Sequence, residues 1–274
     1  MRRFGKKLNV VVMMLVGLAF LAPLIVMLLT SFKQEAEVLN PASVFPKQFH
    51  TDNYKQIVDN AVEAPIFTWL LNSIFISCAV TLLVLVFSSM AAFAITRLKI
   101  PGGRLLFNLI VGSMMLPSQL FLIPLYMILS RMHLIDTPGA LILPAAAGGF
   151  GVFMLSQFMR SLPDSIEEAA LLDGCSLWQV FWNVNLPLCA PAIATLAVFT
   201  FIGSWNDYVT PLVFMDSVRN YTLPVGIALF QSSYFTQYGL TLATSVLATL
   251  PLLLVFFGFQ KQIIESMAAS GLKD

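Results

Sequence analysis

The chain has 274 residues, of which 58% are hydrophobic and 11% charged, with a formal net charge of +1. That composition describes an integral membrane protein rather than a soluble domain, and the near-neutral charge argues against nucleic acid as a partner. Three cysteines, Cys78, Cys175 and Cys189, form no spaced pair, so neither a disulfide nor a metal site is implied.

The basic start, Arg2, Arg3, Lys6 and Lys7, leads into an apolar run over about residues 8–32. A secretory leader has a shorter apolar core and a small-x-small cleavage site. This run is longer, holds Pro23 and ends without such a site, so an uncleaved first span is expected. Residues 33 to about 66 mix Lys33, Lys47 and Lys55 with Glu35, Glu37, Asp52, Asp59 and Glu63, the pattern of a solvated loop. Asp52 to Asn60 has the makings of a short surface helix.

The second span, about 67–96, exceeds the roughly 20 residues that a bilayer core requires, so tilt or projection is expected. Arg97, Lys99 and Arg104 then bracket a Pro-Gly-Gly turn. The third span, about 105–129, contains Pro117 and Pro124 and is expected to bend or break in mid-membrane. The fourth, about 139–159, carries Ala145, Ala146, Ala147, Gly148, Gly149 and Gly151. Small faces allow close helix approach in lipid, so this span is expected inside a bundle. A fifth span follows over about 188–214 and a sixth over about 240–260. Between these two, the stretch from Asp216 to Tyr238 is semi-polar, with Arg219, Gln231, Ser232 and Ser233.

The intervening loop, 160–187, is amphipathic and acidic. Ser165 with Glu168, and Ser176 with Gln179, have capping-box spacing, Pro163 suits a first helical turn, and Gly174 lies between the two helix starts. A glycine there allows a sharp turn at positive φ. Ile166, Ala169, Ala170, Leu177 and Phe181 supply apolar faces, ringed by Glu167, Glu168 and Asp173. Such a helix–Gly–helix surface is suited to docking in a groove of another protein. The competing picture is a hairpin lying on the lipid interface. Interfacial helices usually carry Lys and Arg on the polar face, and the loop has none after Arg160.

Positive charge orients the spans. With six spans and the N-terminus inside, the fifteen Lys and Arg divide ten to five. Inside are Arg2, Arg3, Lys6, Lys7, Arg97, Lys99, Arg104, Arg160, Lys261 and Lys273; outside are Lys33, Lys47, Lys55, Arg131 and Arg219. Both termini and the acidic loop are therefore expected in the cytoplasm.

Glu168-Ala169-Ala170, Gly174, Val184 and Leu186-Pro187, at their spacing here, resemble the EAA loop of binding-protein-dependent ABC importer permeases. Val184 stands where the family usually has Ile. Further matches resemble the carbohydrate branch, of the maltose-type and glycerol-phosphate-type second permeases. They are Asn53-Tyr54, Asn72-Ser73, Ala91-Ala92-Phe93-Ala94 with Arg97, Pro101-Gly102, Leu116-Pro117, Ile123-Pro124-Leu125-Tyr126, Trp205-Asn206-Asp207-Tyr208 with Pro211-Leu212, and Ser270-Gly271-Leu272-Lys273. The resemblance implies an all-α protein of six transmembrane helices, both termini inside, with the type I ABC importer permease fold over a single domain, 1–274, in the bacterial inner membrane. It implies transport of a carbohydrate or similar solute, with a coupling helix seated in a cytoplasmic ATPase. Glu167, Glu168, Ala169, Ala170, Asp173, Gly174 and Pro187 would form that coupling site. The implied partners are a second permease, two ATP-binding cassette subunits, an extracytoplasmic solute-binding protein and membrane lipid. The chain itself would be no enzyme and hold no cofactor, ATP and Mg being bound by the partner subunits. Alternating access would then run through spans that bend at Pro117, Pro124, Pro191 and Pro211.

Asp207 permits two readings. An acid in a span usually faces a cavity, which would put Trp205, Asn206, Asp207 and Tyr208 on the substrate path. At about 1.5 Å per residue it also falls roughly 24 Å beyond Ala192, where an aromatic belt with an interfacial acid belongs. Two other classes are weaker. A secondary transporter predicts inverted repeats and a midplane ion site, and the chain offers neither. An intramembrane enzyme needs a nucleophile with a base, or metal ligands, whereas both histidines fall in outer loops.

Overall fold

The computed structural model describes residues 2–40, 43–59, 64–230 and 237–271. Among these there is no strand. Glu63, Gln231, Ser232, Ser233 and the tail from Leu272 lie outside the described residues.

In chain order the helices are α1 (Arg2–Ser31), α2 (Glu35–Val38), α3 (Asp52–Asp59), α4 (Ile66–Thr96), α5 (Gly103–Ser113), α6 (Leu122–Arg131), α7 (Pro138–Ala145) and α8 (Gly149–Arg160). They continue with α9 (Asp164–Leu172), α10 (Leu177–Val180), α11 (Leu186–Leu188), α12 (Ala190–Trp205), α13 (Val209–Phe214), α14 (Leu223–Leu229) and α15 (Tyr238–Gly271). Four stretches are long and apolar enough to cross a membrane: Asn9–Ser31, Ile66–Thr96, Pro138–Arg160 and Tyr238–Gln260. Two further pairs qualify only as bent spans. Gly103–Ser113 meets Ser118–Arg131 at 95°, and Leu177–Leu188 meets Ala190–Trp205 at 74°. The described residues thus hold four spans, or six if each bent pair is one.

The first bend falls inside the run that Pro117 and Pro124 were expected to bend or break, and the second lies at Cys189, where the fifth apolar run begins. Over 105–129 the chain leaves the helix at Met114, and Pro117, which has no N–H to give, precedes a 3-10 turn over Ser118–Phe121. Over 188–214 the helix ends at Trp205. Asn206 to Tyr208 break the chain before α13.

The chain divides into two compact units, Met1–Phe67 with Val225–Pro251, and Thr68–Pro224 with Leu252–Asp274. In the first, the long loop is folded against its own helix ends. Asn53 donates to the carbonyls of Ser31 (2.8 Å) and Lys33 (3.0 Å), and the Tyr54 hydroxyl meets Ser31 Oγ at 2.8 Å. Glu35 accepts from the N–H groups of Tyr238 and Gly239, both at 2.9 Å. A carboxylate there satisfies orphan donors and the positive end of the α15 dipole. The apolar residues of α1 from Val10 to Val26 are exposed, as a lipid- or subunit-facing helix requires.

The second unit holds a core that includes Ala92, Leu155, Met159, Phe181, Leu196 and Phe214. In lipid the drive for such packing is close contact rather than release of water. Gly151 supplies that contact, because an added Cβ would lie 2.9 Å from Ser88 Cβ and 3.2 Å from Leu196 Cδ2. Of the small residues in the fourth span, Ala146 and Gly151 are buried in this packing, whereas Ala145 and Ala147 are exposed. Asn72 and Ser73, at the start of α4, serve the backbone of the segment after α13. Asn72 donates to the carbonyls of Arg219 (2.9 Å) and Tyr221 (3.0 Å), and Ser73 accepts from the Leu223 N–H (2.8 Å). Asp136, at φ 61°, accepts from the N–H groups of Asp216 (3.1 Å) and Ser217 (3.0 Å) and from the Ser217 hydroxyl. Burial raises its pKa, but the bonds from Ser217, Asn220 and Asp216 outweigh it and hold the carboxyl below the usual value.

Candidate functional site

The acidic loop is a helix, a left-handed glycine and a second short helix. α9 starts at Asp164, with Pro163 as its N-cap and no side-chain cap. This corrects the expected Ser165–Glu168 box. Pro163 precedes the helix, and Asp164 and Glu167 occupy the first turn, where carboxylates complement the helix dipole. The second box is formed: Gln179 N–H donates to Ser176 Oγ (3.3 Å), and Ser176 N–H donates to Gln179 Oε1 (2.8 Å). Between them Gly174 sits at φ +88°. The Cys175 N–H returns to the Ala170 carbonyl (3.0 Å) and the Gly174 N–H to the Leu171 carbonyl (3.1 Å), a Schellman termination. A Cβ on Gly174 would meet nothing within 4 Å. A side chain there would meet no neighbour among the described residues, and the constraint is on φ alone.

After α10 the chain widens into a π turn over Phe181–Asn185. Pro187, two residues on, removes an N–H and crowds the preceding turn, a recognised cause of such widening. The turn drives Phe181 into the core, against Phe93 at 5.1 Å, so it is no part of the loop's outer face.

The residues expected to form the coupling site separate into two groups. Glu168, Ala169, Asp173, Gly174 and Pro187 are exposed, together with Leu171 and with Leu172, which is 89% exposed. Ala170 is half-buried. Glu167 instead turns inward to Arg97, with its Oε1 at 2.9 Å from Nε. The Nε hydrogen is not aimed at that oxygen, so this contact is an ion pair rather than a hydrogen bond. Arg97 also pairs with Asp164, donates to the Met159 carbonyl, and donates to the Leu162 carbonyl at 3.1 Å. The sequence offered Arg97 only as a family match and an inside charge. A basic residue one step past an apolar helix, with acids in a later loop, was the available signal.

The Trp205–Tyr208 group is also divided. Trp205 is 3% exposed and stacked on Phe201 at 5.7 Å, so its ring belongs to the packing. Asn206 and Tyr208 are exposed. Asp207 lines a cavity of about 360 Å³ with Thr200, Ser204 and Thr222 as its other polar walls and Ile76 and Pro211 among the apolar ones. Its Oδ1 accepts from the Thr210 N–H at 3.2 Å, and the buried Thr222 hydroxyl has no partner among the described residues. That volume is at the small end of ligand pockets, about 300–1,000 Å³. Among the described residues no group of three His, Cys, Asp or Glu is placed to hold a metal ion.

The family model for the binding-protein-dependent transport system inner membrane component matches residues 84–268, more than half of the chain. The chain belongs to that family. It is 37% identical over 254 residues to the putative ABC transporter permease protein ORF2 of a Caldicellulosiruptor strain, with 92% of this chain and 91% of the relative covered. It is 32% identical over 266 residues to the arabinooligosaccharides transport system permease protein AraQ of Halalkalibacterium halodurans, covering 94% and 95%. The probable starch degradation products transport system permease protein AmyC of Thermoanaerobacterium thermosulfurigenes is 31% identical over 258 residues, covering 94% and 93%. In fold it matches a chain of the crystal structure of a bacterial ABC transporter involved in the import of the acidic polysaccharide alginate. The TM-score is 0.80 at 23% identity, over 95% of this chain and 97% of that one. The permease is an inner-membrane, multi-pass component of an ABC importer, with the type I importer permease architecture. It is a transport component that works within a system of subunits.

Proposed function

We propose that this permease moves an oligosaccharide or related glycoside, in a complex of a second permease, two ATP-binding cassette subunits and an external solute-binding protein. The relatives named for arabinooligosaccharides and starch degradation products support the substrate class. The loop carries the coupling half of this reading. It presents Glu168, Ala169, Leu172 and Asp173 outward on a turn fixed by Gly174 and the Ser176 cap, while Glu167 is already paired. A rigid apolar ridge with small residues and an unpaired acid suits a groove on a soluble partner. ATP and Mg are held by that partner; this chain hydrolyses nothing. Six spans with both termini inside put the loop in the cytoplasm, in line with the ten-to-five division of Lys and Arg.

Expressed with the ATPase subunits of its own system, the permease is expected to retain them through purification, with hydrolysis absent from the permease alone. An outside-active reporter fused near Gly174 is expected to be silent, and one near Asp52 active. Activity at Gly174, or purification without any ATPase, would overturn the coupling role.

Asp207 is the group we place on the path, at the wall of the cavity with Ser204 and the unpartnered Thr222. Sugar hydroxyls need acceptors, and an aligned carboxylate bond is the strong kind. Asp207→Ala is expected to lower uptake by roughly 10- to 150-fold, the effect of losing one charge-assisted bond of about 1.5–3 kcal/mol, with assembly unchanged. Trp205→Ala, by contrast, should reduce the amount of folded complex, because it opens a hole in the packing. Uptake untouched by Asp207→Ala would return this acid to the interfacial belt.

A further inference from the structure

Arg97 follows directly on Thr96, the last residue of α4, yet its guanidinium leaves its own helix and crosses to the loop. Four groups receive it: the carboxylates of Asp164 and Glu167 and the carbonyls of Met159 and Leu162. The arginine side chain is 7% exposed and that of Glu167 15%, whereas Asp164 is 66% exposed. One buried fork therefore holds the end of α8, the link after it and the first turn of α9. A planar guanidinium can serve several acceptors at fixed angles at once, which an ammonium cannot. This is stronger than a charge placed only for topology, and the docking ridge has no need of it.

The geometry points to Arg97 as the positioning residue that transmits displacement of the coupling loop into α4, with Glu167 as its internal counter-ion. The inference rests on the coupling reading above. Pushing α9 sideways moves Asp164 and Glu167. Because α8 shares the same guanidinium through the Met159 carbonyl, α8 and α4 are pulled with them. The pair of neighbouring glutamates is thereby divided in labour: Glu167 faces inward to α4, and Glu168 faces the partner.

Cys78 lies exposed on α4 and offers a reporter position, with Cys175 and Cys189 replaced by Ser. The complete complex, carrying an environment-sensitive fluorophore on Cys78, is driven through its cycle with MgATP and vanadate. Wild type is expected to change its label signal on trapping. Arg97→Gln and Glu167→Gln are each expected to reduce that change about tenfold, within the usual size of one coupling free energy, while trapping the same amount of nucleotide and retaining the ATPase subunits. Arg97→Lys should also lose the response, since a point charge cannot hold both carbonyls and both acids. Combining Arg97→Gln with Glu167→Gln should add less than a factor of about two, because contacting residues do not act independently. A wild-type signal that does not change on trapping overturns the proposal, as does a normal response in both Gln variants. Loss of trapped nucleotide in parallel with the signal also overturns it, because the residue would then serve assembly alone. Gly174→Val separates the two readings. If it too leaves the response intact, the coupling role of the loop fails. If it abolishes the response while the Arg97 and Glu167 variants do not, only the transmission role fails.

Discussion

Replacing Gly151 by alanine is expected to lower the melting temperature of the detergent-solubilised permease, and replacing it by leucine to remove most of the folded protein from the membrane. The reason lies in α8 crossing α4 at contact distance. The added Cβ would stand 2.9 Å from Ser88 Cβ, a position from which no rotamer change of Ser88 gives relief. It would also press the Leu196 Cδ2 methyl at 3.2 Å, so that side chain on α12 must give way as well. Overpacking by a single methyl in such a place costs about 1–3 kcal/mol, and a leucine side chain exceeds what the bundle can absorb without separating its helices. The companion change is Ser88→Gly, which removes the opposing Cβ. Combined with Gly151→Ala it should recover most of the lost stability, a coupling that independent sites would not show. Thermal denaturation followed by size-exclusion chromatography reads both effects. An unaltered melting temperature for Gly151→Ala would mean that the two helices are farther apart than described.

Several features were legible in the residues because their causes are local. Apolar runs place the spans, since a chain segment in lipid must satisfy its backbone within its own helix. The Ser176–Gln179 box and the left-handed Gly174 each concern a few neighbouring residues, and both are formed. The first box failed although its spacing was equally good. Ser165 lost to Pro163 and Asp164, and Asp164 is held by an arginine 67 residues earlier, which no local pattern contains. Arg97 was hidden for the same reason, because only the folded chain brings its guanidinium to the loop. Trp205 shows the limit on the aromatic side. A tryptophan near the end of an apolar run fits a belt, a sugar platform or a core equally well, and its stacking on Phe201 decides among them. Asp207, a few residues on, could be read toward a cavity from its charge alone. The cavity itself needed Thr200, Ser204 and Thr222 to converge with it.

Gly174→Val is expected to uncouple the importer while leaving it inserted and assembled. At φ +88° an L-residue pays for contact between its Cβ and its own backbone, and a β-branched one pays most. A cost of about 2 kcal/mol changes the ratio of native to remodelled turn by roughly thirtyfold. The turn is what returns the Cys175 and Gly174 N–H groups to the Ala170 and Leu171 carbonyls, so its loss frays the end of α9. Glu168, Ala169 and Leu172 then present no fixed ridge. Because no atom of the described residues, apart from the glycine and its two chain neighbours, lies within 4 Å of the missing Cβ, two causes can be told apart by choice of side chain. Asn accepts the left-handed region and should retain coupling if backbone angle is what matters. Ala is small but disfavours that angle, so it should fall between Asn and Val. If Asn is as damaging as Val, the glycine is needed for space in the partner's groove instead. The measurement is ATP hydrolysis by the reconstituted complex with and without its loaded binding protein, beside the amount of ATPase that remains bound. Full stimulation in the Val variant would remove the loop from the coupling path.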